Sequence, residues 1–140
     1  MHNQIDDTLG LIIHKNGEKY MLDHVGLQVS DIKRSKEFYL NVLKPLGYEL
    51  FMEWEEWAGF SIKGQPELWL KQGTQTTPII HIAFRAQTRK MVDAFYKAAL
   101  AAGGKDNGSP GVREIYHPTY YAAYILDLDG HNIEAVCREA

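Results

Sequence analysis

A single cysteine, Cys137, is all the chain has, so no internal disulfide can staple the fold, and a lone thiol is compatible with a reducing cytosol. Excess basic charge is also missing. Fifteen Lys and Arg stand against eighteen Asp and Glu, for a net charge of -3 and a pI of about 6.0, which leaves no basic face suited to a phosphate backbone. Nucleic acid is therefore not an expected partner. No apolar run approaches the roughly 20 residues of a membrane helix, and the first 20 residues carry Asp6, Asp7 and Glu18 without the continuous apolar core of a signal peptide. The expectation is a cytoplasmic protein with no membrane partner. Composition agrees, at 45% hydrophobic and 24% charged residues, and 140 residues suffice for one domain that buries a core without staples.

What the chain does have is an internal repeat. At a constant offset of 57 residues, His24 maps onto His81, Phe38-Tyr39 onto Phe95-Tyr96, Leu43 onto Leu100 and Gly47 onto Gly104. Two copies of one supersecondary unit are expected, spanning 22–78 and 79–140, with a cleft between them. In the first, Val25, Leu27 and Val29 alternate with His24, Gly26 and Gln28, which predicts a strand with the histidine on the face opposite Val25. Ser30 or Asp31 can cap the helix that follows, whose Ile32, Ser35, Phe38, Val42 and Leu46 recur at helical spacing until Pro45 and Gly47 end it. Strand-like stretches follow at 48–54, 58–63 and 68–71.

The second unit repeats this order, from a strand over 79–84 into a helix over about 88–102 with Met91, Phe95, Ala98 and Ala102 on its apolar face. A polar connection is expected over 105–111. Asp129-Gly130 then joins two alternating runs, 122–128 and 132–136, as a hairpin. Within that hairpin the offset grows to 65 residues, pairing Leu68 with Ile133 and Trp69 with Glu134, so an insertion of eight residues is expected near 113–121. Residues 1–21 stand outside the repeat. Asn16-Gly17 between two apolar runs predicts an extra edge strand there, with residues 1–8 loose, and a disordered arm is the alternative.

Asp23-His24-Val25-Gly26-Leu27, Phe38-Tyr39 with Leu46-Gly47, Ile80-His81-Ile82-Ala83-Phe84, and Leu126 through Glu134 together resemble the vicinal oxygen chelate superfamily. That family contains glyoxalase I, extradiol dioxygenases, fosfomycin-modifying transferases and the metal-free bleomycin resistance proteins. The resemblance implies an α+β fold in which two βαβββ modules curl into a half-open barrel. It also implies metal ligands on the first and last strand of each module, which here are His24, Trp69, His81 and Glu134. Tryptophan has no lone pair for a metal. The implied set is thus His24, His81 and Glu134, holding one divalent ion that the sequence leaves open among zinc, iron, manganese and nickel. Glu134 can double as a base, and as a buried carboxylate it needs a cation or a donor in any case.

Trp69 stands where glyoxalase I has a glutamate, which turns the resemblance toward three-ligand relatives such as dioxygenases and fosfomycin transferases. The inserted segment is rich in aromatics and offers Arg113 for an anionic group, His117 or Tyr120 as proton donors, and Tyr121 as a wall. An edge strand packed on the partner module is the plainer reading of the same residues. Trp54 and Trp57 fit a cavity mouth, the core or an interface. His131, after the turn, is expected to be exposed. The functional expectation is a metal-dependent lyase, isomerase or dioxygenase acting on neighbouring oxygens of a small substrate, as a homodimer whose modules pair within one chain or across two. The alternative is a metal-free small-molecule binder using Trp54, Trp57, Trp69 and Tyr121.

Overall fold

The computed structural model describes residues 22–140 in full, and the backbone of three short strands before them. Those strands, β1 (Gln4–Asp6), β2 (Leu11–Ile13) and β3 (Lys19–Tyr20), form an antiparallel sheet of their own in the order β1-β2-β3. Gln4–Asp6 is thus a strand where loose chain was expected, because it finds backbone partners along β2. The Asn16-Gly17 turn lies outside the described residues.

The rest of the chain is α+β: two four-stranded sheets, each carrying one helix. The first contains β4 (Val25–Val29), β5 (Glu49–Trp54), β6 (Trp57–Ile62) and β7 (Gln65–Gln72), ordered β4-β7-β6-β5. The second contains β8 (His81–Arg85), β9 (Lys105–Val112), β10 (Tyr121–Leu126) and β11 (Asn132–Cys137), ordered β8-β11-β10-β9. In each, the first strand runs parallel to the last and the remaining pairs are antiparallel. Registers coincide too. Val25 lies opposite Leu68 and Gly26 opposite Trp69, while Ile82 lies opposite Ile133 and Ala83 opposite Glu134. Neither sheet closes into a barrel.

Helix α1 (Ile32–Leu43) starts where the Asp31 carboxylate accepts the Arg34 N–H at 3.1 Å, satisfying one of the donors that a first turn leaves free. It ends in a single 3₁₀ turn, Lys44–Leu46, after which Gly47 takes φ +93°, a conformation that favours glycine. Helix α2 (Arg89–Ala101) is capped in the same way by Thr88, whose hydroxyl accepts the Met91 N–H at 3.2 Å. Its buried face is Val92, Phe95 and Ala99, with Met91 and Ala102 at its margins.

The two helices touch each other, and their apolar faces merge with the helix-covered sides of both sheets in one core. Leu27, Val29, Phe60 and Leu70 come from the first sheet, and Ala123, Ile125, Ile133 and Ala135 from the second. Since the covered faces share that core, the uncovered faces of the two sheets are turned outward. A polar seam reinforces the junction. The Tyr39 hydroxyl donates to Asp127 at 2.5 Å inside the core, and Asp127 also accepts the N–H groups of Asp129 and His131 at 2.9 and 2.8 Å. Burial first, then the carboxylate beside it, pushes the Tyr39 phenol well above its ordinary pKa.

Two expectations need correction here. His131 is 1% exposed, because the turn at Asp129-Gly130 folds against the first module instead of into solvent. Its Nδ1 accepts the Ile80 N–H at 3.0 Å, which leaves Nε2 as the protonated nitrogen, donating to the Gln28 carbonyl at 3.3 Å. The second correction is 105–111, which is strand β9 and not a connection; its irregular pairing with β10 absorbs residues of poor strand propensity along a sheet edge.

Candidate functional site

Period-two alternation sorts each sheet into a helix-covered and an uncovered face. On the second sheet, His81 from β8, Glu134 from β11 and Tyr124 from β10 share the uncovered one, since Tyr124 lies directly opposite Glu134 in the ladder. His81 Nε2 is 2.9 Å from the Glu134 carboxylate. The carboxylate is 2% exposed and the imidazole 52%, so the pair has a buried acid beneath an open ring. A third partner comes from outside the strands: the Tyr120 hydroxyl donates to the other Glu134 oxygen. Desolvation and then Glu134 itself push the Tyr120 phenol far above its usual pKa, and the same two influences raise Tyr124. Both phenols are therefore neutral donors at neutral pH.

Tyr120 is delivered by the inserted segment. Where the first module joins β5 to β6 through Glu55-Glu56 alone, the second spends residues 113–120. That segment is ordered by its own bonds: Arg113 N–H to the Tyr120 carbonyl at 2.7 Å, Tyr120 N–H to the His117 carbonyl at 3.1 Å, and the Thr119 hydroxyl to the Arg138 carbonyl at 2.7 Å. The Arg138 guanidinium lies 5.1 Å from the centre of the Tyr120 ring, a favourable placement of cation over π face. Arg113 sits over Tyr124 at 5.6 Å and donates to the Ser109 carbonyl at 2.6 Å, so it borders the same group.

The first sheet presents a different surface. Trp69 occupies the register position of Glu134, and its indole lies on Gly59, where any Cβ would fall 2.5 Å from the ring. Trp54 stacks on Trp69 with centroids 6.3 Å apart and planes 23° from parallel, and Phe51 meets it edge-on. Phe51, Met52, Trp54 and Trp57 are all exposed. His24, one residue before β4, is 57% exposed and contacts the Asp23 carboxylate at 2.6 Å.

Of the sequence-derived ligands, His81 and Glu134 are thus brought together and His24 is not. Among the described residues, no three His, Cys, Asp or Glu side chains are grouped closely enough to hold one metal ion. One imidazole and one carboxylate leave a divalent ion short of the three protein ligands typical of catalytic zinc or facial iron sites. Of the proposed substrate contacts, Trp54 and Trp69 share one face and Arg113 borders the other. Tyr121 joins neither: it lies opposite Cys137, donates to Asp93 at 2.6 Å and carries Arg89 over its ring at 5.0 Å, all on the α2 side. The direct hold of Tyr120 on Glu134 was not legible in spacing, because the insertion breaks the repeat that located the other residues. No helix among the described residues is long and apolar enough to cross a membrane.

Comparison with known proteins agrees with the architecture. Residues 21–135 match the family described as the Glyoxalase/Bleomycin resistance protein/Dioxygenase superfamily. No match was found among curated proteins. Among solved structures, a glyoxalase/bleomycin resistance protein from Albidiferax ferrireducens T118 is 27% identical with a TM-score of 0.73, over 84% of this chain and 99% of that one. The fosfomycin resistance protein FosX from Mesorhizobium loti is 20% identical with a TM-score of 0.64, over 84% and 91%. A FosX variant from Listeria monocytogenes, complexed with Mn(II) and 1S,2S-dihydroxypropylphosphonic acid, is 23% identical with a TM-score of 0.63, over 83% and 88%.

Proposed function

We propose that this chain, which belongs to the Glyoxalase/Bleomycin resistance protein/Dioxygenase superfamily, is a metal-dependent enzyme whose site is completed by a second copy of itself. The observation that carries the reading is the His81 and Glu134 pair, joined at 2.9 Å on an uncovered sheet face with no third ligand grouped beside it among the described residues. His24 lies one residue before β4 of the other sheet, where alternation continued from Gly26 would put it on the uncovered face, and the helices pack between the two sheets. Two chains exchanging modules would bring His24 of one copy opposite the pair of the other, giving two imidazoles and a carboxylate. The same exchange covers Phe51, Met52, Trp54 and Trp57, an exposed apolar cluster that a monomer would leave in water.

His24, His81 and Glu134 would hold a divalent ion, which when bound would supply Lewis-acid polarisation to neighbouring oxygens of a small substrate. The chain's own residues do the rest. Glu134 offers a carboxylate oxygen that can accept a substrate proton, and Tyr124 and Tyr120 stay protonated as hydrogen-bond donors beside it. Arg113 provides a fixed cation at the rim for an anionic substrate group. Trp54 and Trp69 form an apolar wall that excludes water from the opposite side. Manganese is the first ion to try, since the FosX variant from Listeria was solved with Mn(II).

The test is metal uptake by mixed variants. His24→Ala and Glu134→Gln should each abolish binding of one equivalent of Mn(II) per chain. Unfolded together and refolded as a mixture, they should recover about a quarter of wild-type capacity, because half of the random dimers carry one intact site of two. Single variants that fail with no recovery on mixing would place the ligands within one chain. Wild-type protein that takes up no metal after reconstitution would favour the metal-free binder instead.

A further inference from the structure

Glu134 presents a problem that its strand does not solve. A carboxylate 2% exposed costs several kcal/mol unless its oxygens are bonded, and His81 meets only one of them. The other is met by Tyr120, from a segment that the first module lacks at the equivalent corner. In that module the corresponding strand position is Trp69, which has no carboxylate to hold. The extra segment and the extra acid therefore occur in the same half of the molecule. Tyr120 is held on several sides: its carbonyl accepts from Arg113 N–H, its N–H donates to the His117 carbonyl, its neighbour Thr119 bonds the Arg138 carbonyl, and its ring lies between Arg138 and Tyr116, whose centroid is 5.1 Å away.

We infer that Tyr120 is a positioning residue: the insertion exists to set its hydroxyl against one oxygen of Glu134, so that the other is aimed with His81 toward the uncovered face. The inference rests on the metal reading above for its consequence, but the hold itself belongs to the metal-free chain. A carboxylate fixed on one oxygen loses little rotational freedom when the other takes up a ligand. An untethered one would have to be ordered at that moment. Partners of this kind, one step removed from the ion, typically change metal affinity by about 10- to 100-fold.

Tyr120→Phe removes the hydroxyl and keeps the ring under Arg138. In Mn(II) titrations it should weaken binding about 10- to 100-fold while the melting temperature stays close to wild type, and the visible spectrum of the Co(II)-loaded protein should change shape as the carboxylate shifts. Tyr116→Phe, which alters the ring packed on Tyr120 but no bond to Glu134, should leave affinity and spectrum unchanged. In metal-free protein with 13C-labelled glutamate, Tyr120→Phe should move the carboxyl resonance assigned to Glu134 by Glu134→Gln. That readout separates the two ideas: no Mn(II) uptake by wild type with the resonance still moving sinks the metal reading and keeps the hold. An unmoved resonance, or unchanged Mn(II) affinity in a wild type that does bind, overturns the role of Tyr120.

Discussion

The two uncovered sheet faces share a register and differ in chemistry. At one position the first sheet has Trp69 and the second has Glu134, and the surroundings follow that single choice. Tryptophan needs flat neighbours and room, and it has Gly59 beneath, Trp54 stacked and Phe51 edge-on. Glutamate needs donors, and it has His81 and Tyr120, the second supplied by an eight-residue connection where the first module has two residues. The helices covering the other faces show no such divergence: Phe38 of α1 and Phe95 of α2, equivalent in the repeat, are both buried in the common core. Duplication has thus kept the half of each module that holds the fold and varied the half that meets solvent.

The comparison can be broken most severely at the core. Phe38→Ala and Phe95→Ala should each cost about 3–5 kcal/mol, and each should lower one shared unfolding transition in calorimetry. A variant that melts only its own half, as a separate transition, would deny the common core. The seam between the halves comes next. Tyr39→Phe removes a buried donor to a carboxylate and should cost about 1.5–3 kcal/mol. Its pH dependence has a definite sign: the folded pKa of Tyr39 is raised above the ordinary value near 10, so its contribution is intact below that pH. As pH rises past it, the unfolded chain ionises first and stability falls. Urea unfolding at pH 8 and at about pH 11 should therefore show a steeper alkaline loss for wild type than for Tyr39→Phe. An equal loss would detach that tyrosine from the seam. The mildest change sharpens the aromatic face: Gly59→Ala forces the Trp69 indole away from the sheet and disturbs its stack with Trp54, at about 1–3 kcal/mol. The intrinsic fluorescence should shift, and an unchanged spectrum would mean that Trp69 does not rest on Gly59.

Most of the fold was readable because the repeat has one spacing: aligning His24 with His81 and Trp69 with Glu134 by offset anticipated registers that the ladders repeat residue for residue. The pair of His81 and Glu134 was readable for the same reason, since alternation and equivalence both put them on one face. What the sequence did not reveal depends on how modules meet. His131 looks like a turn residue until the first module closes over it. The separation of His24 from its supposed partners follows from helices, not sheets, filling the space between modules. Strand β9 hides behind Asp, Asn, Gly and Pro, which suit an irregular edge as well as a loop. Tyr120 and Tyr121 differ by one position, and alternation along β10, with Tyr124 opposite Glu134 and Tyr121 opposite Cys137, sends the first toward Glu134 and the second toward α2.

The seam also constrains how the chain can be assembled in time. Tyr39 meets its acceptor 88 residues later, the Ser30 amide meets Asp129 after 99, and Gln28 receives His131 after 103. Contacts this distant reward the chain only after a long loop has been closed. During synthesis the first module would therefore wait, its buried phenol without an acceptor, until residues 127–131 had left the ribosome, and the native core would form late and all at once.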